Sequence, residues 1–193
     1  GKDDPFAPTE IHINLMANPE YKLKFADRAQ RLLFNGGLLT PASAAAVFQT
    51  RVNEIDRAIV GESARWGDNR VPITITGSQP YARNTPYTRA DWVATMNGVL
   101  ADFFPVRTQI TLSQFISRGW MPSLAAPLMN QYGGSVSAGF QLTLTKPVGS
   151  PAAAKIYYTL DGSDPRLPGG TIAPAAVEYT SAVTLSTTTR VRA

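Results

Sequence analysis

The stretch KIYYTLDGSDPR, residues 155–166, sets two carboxylates, Asp161 and Asp164, three positions apart behind the paired tyrosines Tyr157 and Tyr158. Two kinds of binding chemistry are open to such a set. Carboxylates at a sharp turn can join backbone carbonyls around a hard cation, so Asp161 and Asp164 are a candidate Ca2+ pair. A tyrosine ring standing clear of the surface can stack on the apolar face of a sugar. Strand alternation puts Ile156, Tyr158 and Leu160 on the core side and turns Tyr157 and Thr159 the other way, which makes Tyr157 the candidate platform. Trp120 and Tyr132 are further candidate glycan contacts if their flat faces are exposed. The same residues also suffice for a staple and nothing more. Asp161-Gly162 suits a tight turn, with Asp accepting backbone hydrogen bonds and Gly supplying a positive φ. Asp164-Pro165 suits a second turn, so that Asp161, Gly162, Ser163, Asp164 and Pro165 would hold two strands together.

No catalytic constellation stands beside this turn. The single histidine, His12, cannot build a multi-histidine metal site, and no partner nucleophile is marked for it. Cysteine is absent, which removes disulfides, thiolate chemistry and the common structural zinc sites. Asn35-Gly36-Gly37 lacks the lysine of a phosphate loop. Asp56 with Glu62, or Asp91 with Asp102, has no spacing that demands acid–base work. No catalytic residue and no resident metal is therefore expected. The net charge of +4 is spread evenly: residues 1–120 hold 13 basic and 11 acidic side chains, and residues 121–193 hold 5 and 3, so each part is +2. The densest basic set, Lys22, Lys24, Arg28 and Arg31, includes Asp27 and reads as a solvated helix face, which argues against a nucleic-acid partner. No run approaches 18 apolar residues, so no membrane-spanning helix is expected. Gly1-Lys2-Asp3-Asp4 starts abruptly, without a signal-peptide pattern, and reads as a cut fragment.

The elements that must position these residues fall into two periods. Phe25, Ala29, Leu32 and Leu33 mark one helix, stopped by Asn35-Gly36-Gly37. Thr40-Pro41 opens the next, with Phe48, Val52, Ile55 and Ile59 as its apolar stripe and Trp66 as its last anchor. Residues 70–87 read as a long connection with an extended piece at Val71 to Ile75. Thr88 and Asp91 form a capping box, and Trp92, Met96, Val99, Leu100 and Phe103 follow on one face. Pro105 breaks or restarts that helix before Val106, Ile110 and Ile116. After Pro122 the period becomes two: Phe140, Leu142 and Leu144 alternate, then Ile156, Tyr158 and Leu160, then Val177 and Tyr179, then Val183 and Leu185, with Val191 in a last run. The irregular stretch 119–133 is the boundary. The expected class is α+β: a helical segment, residues 1–125, packed against an immunoglobulin/fibronectin-like β-sandwich, residues 126–193. Arg190-Val191-Arg192-Ala193 lies inside a strand pattern, so the last strand is expected to be incomplete.

IYYTLDGSDPR with the following GGTIAPAAVEYTSAVTLSTTTRVRA resembles the chitobiase/β-hexosaminidase C-terminal type of domain, also called fibronectin-III-associated. The resembling positions are Tyr157, Tyr158, Asp161, Gly162, Ser163, Pro165, Tyr179 and Thr187 to Thr189, within residues 134–193. The helical part resembles the C-terminal portion of CotH kinase-like proteins, through NPEYKLKFADRAQRLLFNGGLLT, VNEIDRAIVGESARWGD and YTRADWVATMNGVLADFFPVRTQITLSQFISRGWMPSLAAP, about residues 12–127. Asp27, Arg28, Asp56, Glu62, Arg65 and Trp66 match that family's helical tail. The resemblance implies a parent that is an atypical kinase, with its ATP and metal groups upstream of Gly1 and none in this fragment.

These readings imply a non-catalytic accessory fragment of a secreted or surface bacterial protein, positioning neighbouring domains of the same parent chain. A weak carbohydrate-binding module for polysaccharide or cell-wall glycan is the alternative, and an accessory part of a CotH-like kinase the third.

Overall fold

The computed structural model describes residues 9–69, 85–122 and 124–193. Among the described residues five α-helices, α1 (Glu10–Leu15), α2 (Pro19–Leu33), α3 (Pro41–Trp66), α4 (Arg89–Gly98) and α5 (Phe104–Ser117), precede six short strands. The expected Val71–Ile75 piece lies outside the described residues. Among those residues, no helix is long and apolar enough to cross a membrane. The chain divides into two compact units, residues 32–113 and residues 1–31 with 114–193.

In the unit of residues 32–113, sequence signals set the helix ends. Asn35 and Gly36 take left-handed dihedrals, φ 53° and 76°, after α2. Pro41 then occupies the first turn of α3. Thr40 does not cap α3 through its side chain; its hydroxyl donates instead to the Gly37 carbonyl at 2.8 Å, back into the loop. The capping box of α4 is present: Asp91 Oδ2 accepts from the Thr88 amide at 2.9 Å, and Thr88 Oγ1 accepts from the Asp91 amide at 3.3 Å. Arg89 then grips Asp56 of α3 with two parallel bonds of 2.9 and 2.8 Å. These bonds, with the Asp56 charge, raise the Arg89 pKa.

Pro105 neither breaks nor restarts the helix. A π-helical turn, Val99–Phe103, carries the chain from α4 into α5. Proline has no N–H for the carbonyl four residues back, and the wider turn relieves its ring. One extra residue rotates the following face by about 100°. Phe103, Val106 and Ile110 accordingly stand about half exposed rather than continuing the stripe of Trp92 and Met96. Phe48 meets Phe104 at 5.2 Å between ring centres, so that end of the α3 stripe is covered. Trp66, expected as an anchor, is 52% exposed, with the Arg65 guanidinium 5.0 Å over its ring.

In the other unit, the Asn18 side chain caps α2 by accepting from the amides of Glu20 and Tyr21 at 2.9 and 3.3 Å. Ala26 and Ala29 of α2 are buried, at the three-residue spacing of one helix face. The strands pair as three antiparallel ladders: β1 (Leu128–Met129) with β3 (Leu144–Thr145), β2 (Phe140–Leu142) with β6 (Val183–Leu185), and β4 (Tyr157–Tyr158) with β5 (Val177–Glu178). Strand β1 falls in the stretch that reads as irregular, and its two residues are too short for a period to show. The register Phe140↔Leu185 and Leu142↔Val183 brings the apolar members of both alternating patterns to one side. Leu142, Leu144 and Ile156 form the buried centre, with Phe140, Tyr158, Tyr179, Leu185 and Val191 against it.

Leu142 is 2% exposed. Leu142→Ala is expected to destabilise this unit by about 2–5 kcal/mol through lost burial and a residual cavity. Val177→Ala, at a side chain 54% exposed, should stay within about 0.5 kcal/mol of wild type. Denaturant titration monitored by β-module amide resonances gives both numbers.

Candidate functional site

The turn after β4 departs from simple alternation. Thr159, expected on the outer side, is 2% exposed, while Leu160, expected inside, is 46% exposed. The strand pattern ends at Tyr158. Thr159 bridges to Arg192 through backbone bonds of 2.8 and 3.2 Å, and its hydroxyl donates to the Ser163 carbonyl at 2.7 Å. Burying this hydroxyl is cheap because it is hydrogen-bonded, and the bond closes the turn from within.

Asp161 and Asp164 each make an Asx turn. Asp161 Oδ1 accepts from the Ser163 amide at 2.9 Å and the Ser163 hydroxyl at 2.6 Å. These two bonds, the hydroxyl first, hold the Asp161 carboxyl below the usual carboxylate range. Asp164 Oδ1 accepts from the Arg166 amide at 3.0 Å. Between them Gly162 sits at φ 79°, and a Cβ there would come within 2.5 Å of Arg190 Cδ. The left-handed backbone favours glycine here, and a side chain would displace the arginine stem lying against it.

Asp164 also faces two guanidinium groups, Arg166 Nε at 3.3 Å and Arg192 Nη2 at 3.0 Å. Arg166 reaches on to Asp27 of α2 at 2.8 Å, and Arg192 lies 3.6 Å from the same carboxylate. Burial pushes the Asp164 carboxyl up, but the Arg166 hydrogen bonds and the charges of Arg166 and Arg192 carry it below its ordinary value. Burial likewise works against charged Arg166, and Asp164 and Asp27 outweigh it, so its pKa is raised. A second clasp on α2 is Glu20, whose Oε1 accepts from the Gly169 amide at 2.5 Å. Asp27 and Glu20 lie seven apart on α2, two turns along one face.

The three candidate rings stand in different places. Tyr157 is half-buried on β4, its hydroxyl 3.5 Å from Glu178 Oε2, which also holds Lys155 at 2.8 Å. That bond and charge raise the Lys155 pKa. Trp120 belongs to an aromatic cluster, 4.8 Å from His12 edge-on and 5.8 Å from both Phe25 and Phe115. His12 Nδ1 lies 3.0 Å from the Tyr21 hydroxyl. Trp120 lines a cleft of about 420 Å³ with Leu23, Met121 and Gly169. Tyr132 is 48% exposed, and its hydroxyl accepts from the Met129 amide at 3.0 Å. It lines a separate cleft of about 900 Å³ between residues 129–142 and 185–191. Tyr157 lines neither cleft. Among the described residues no three His, Cys, Asp or Glu side chains gather around one point. The partners that sequence reasoning missed are Asp27, Arg166 and Arg192 as a network, and Arg190 over Gly162. The period of two at Arg190 and Arg192 is the one local signal that both face the same turn.

Short antiparallel ladders around an aliphatic centre, with Asx turns at their ends, define a small antiparallel β module. Residues 131–193 match the family model of the chitobiase/beta-hexosaminidase C-terminal domain, whose fold is immunoglobulin-like. No curated protein and no solved structure matches the chain.

Asp164→Asn is expected to lower stability at pH 7 by about 1–2 kcal/mol, through loss of partly screened charge-assisted bonds. The depressed carboxylate contributes stability above its unfolded pKa of about 3.9 and loses it as pH falls below that. The gap between variant and wild type should therefore narrow as pH drops below about 4. A gap unchanged from pH 7 to pH 3 in denaturation midpoints would contradict the assigned pairing. Gly162→Ala should cost about 1–2 kcal/mol in the same assay, from left-handed strain.

Proposed function

We propose that the chain is a non-catalytic accessory fragment of a secreted or surface bacterial protein that is glycan-active, and that it positions neighbouring domains of its parent. The observation that carries this reading is the family match at residues 131–193, together with the Asp27 and Glu20 clasps on one face of α2. A module in such a family is an accessory to glycan chemistry carried elsewhere in its parent. The clasps hold α2 against the module within one compact unit. We read the β module as an immunoglobulin/fibronectin-like sandwich, and the helices as the tail of a CotH kinase-like domain on the sequence likeness of residues 12–127. On that reading the ATP site belongs to the upstream kinase body.

The second reading, a weak carbohydrate-binding module, is favoured by the half-exposed Tyr132 at the rim of its cleft. Amide and methyl NMR shifts, followed into the millimolar range with chitooligosaccharides, cellooligosaccharides and peptidoglycan fragments, separate the two. A pure scaffold leaves the spectrum unchanged. Expected besides is the absence of phosphate transfer from Mg-ATP to protein acceptors and of chitooligosaccharide cleavage; turnover in either assay that tracks the purified chain would sink the accessory reading.

A further inference from the structure

The cleft beside Tyr132 has a feature that the stacking argument does not use. Every charge on its lining belongs to one residue, Arg190. No aspartate or glutamate lines it; the remaining polar side chains are Gln131 and the hydroxyls of Tyr132, Ser135, Ser137 and the run Ser186 to Thr189. Among the described residues, Arg166 and Arg192 each hold carboxylates, whereas no hydrogen bond or ion pair holds the Arg190 guanidinium. Its stem is nevertheless placed, lying against Gly162, where a Cβ would meet Cδ at 2.5 Å. Asp161 also bridges to Arg190 through the backbone. The turn that carries Asp161 and Gly162 thus fixes the stem of Arg190, which is the one charged residue on the lining of a cleft of about 900 Å³ with a half-exposed ring and a hydroxyl-rich rim.

We propose that this cleft binds an acidic oligosaccharide, with a sugar carboxylate on Arg190 and a pyranose face on Tyr132. A guanidinium presents two parallel N–H donors that match a carboxylate, and it is weakly hydrated, so it gives up water readily on pairing. The serine and threonine hydroxyls can donate to or accept from ring hydroxyls. The partly exposed Phe140 and Leu185 line the cleft below and can receive the C–H edges of the sugar. The absence of an acidic lining residue removes the repulsion that a uronic acid would otherwise meet. The inference deepens the carbohydrate-binding reading above and rests on it.

The test uses the full chain, 15N-labelled, titrated with trigalacturonate, cellotriose and N-acetylated chitotriose at equal sugar concentration, and with acetate at the carboxylate concentration of the trigalacturonate. Trigalacturonate should shift the amides of Gly133, Gly134 and Thr187 to Arg190 and bind more tightly than the neutral trisaccharides, with affinity falling as salt rises. Arg190→Gln and Tyr132→Ala should each weaken it on the order of tenfold, about 1.4 kcal/mol, and Arg190→Lys should recover only part. A folded spectrum for each variant makes the loss interpretable, and Thr184→Ala, outside the lining, should bind as wild type. Equal binding of neutral trisaccharides at these amides overturns the acidic assignment and leaves the glycan reading standing. Shifts reproduced by acetate alone reduce the site to a simple anion contact and overturn it too. No shift with any sugar overturns both readings.

Discussion

One shared carboxylate–guanidinium network fixes the β module's turns and α2 together. Asp164 takes Arg166 and Arg192, and Asp27 of α2 takes the same two arginines from the other side. Each side chain remains 33–42% exposed, so any single pair is worth little after solvent screening. What matters is that two carboxylates and two guanidinium groups constrain one another, and that both arginines come from segments already held by backbone bridges, Arg166 to Ile172 and Arg192 to Thr159. Ordering entropy is shared between the bridge and the salt links, and a network of this kind couples more strongly than isolated pairs. A cation at Asp161 and Asp164 would have to displace Arg166 and Arg192 from one carboxylate and the Ser163 amide from the other.

The parts of the fold legible from sequence were those in which one local pattern decides the outcome. The capping box at Thr88 and Asp91, the left-handed stop after α2, and the alternation of Phe140, Leu142 and Leu144 all depend on neighbours within four residues. The β module itself was legible from IYYTLDGSDPR and the threonine-rich segment behind it, and the family match covers the same region. What was not legible required a choice between competing local rules. At Pro105 the helix could stop or widen, and the π-helical turn keeps it going while rotating its face. At Thr159 the alternation rule gave the wrong side, because a threonine hydroxyl can satisfy a buried carbonyl and a leucine cannot. Trp66 shows the limit from the other direction: a tryptophan at the right phase can be served by a neighbouring guanidinium and left half exposed.

The candidate site was legible in its residue types and illegible in its grouping. Tyr157, Trp120 and Tyr132 share a chemistry, so a sequence reading sets them side by side. The structure spends each differently. Trp120 meets His12, Phe25 and Phe115 on its edges and faces, and Tyr157 runs alongside the Lys155–Glu178 pair. Tyr132 alone of the three combines about half exposure with a place on the larger cleft. Sequence carries little warning of this, because the contacts that bury or free a ring come from segments distant in the chain.

The turn at residues 161–165 was open to three readings, as staple, cation cage or ligand rim, and its own hydrogen bonds are those of a staple. Asp161 and Asp164 spend their lone pairs on amides, a serine hydroxyl and arginines, which is the behaviour of a staple. Yet Gly162 is shaped to the stem of Arg190, and Arg190 is the one charge on the neighbouring cleft. A side chain at position 162 would therefore act at a distance from the cleft: it would strain the turn and also push the guanidinium aside. On the proposed acidic-glycan reading, stability and ligand affinity fall together at Gly162 and separately at Arg190, whose removal leaves the turn's own hydrogen bonds intact. A turn that only joined strands would show no such linkage, since its mutations could reach the cleft only by unfolding the module.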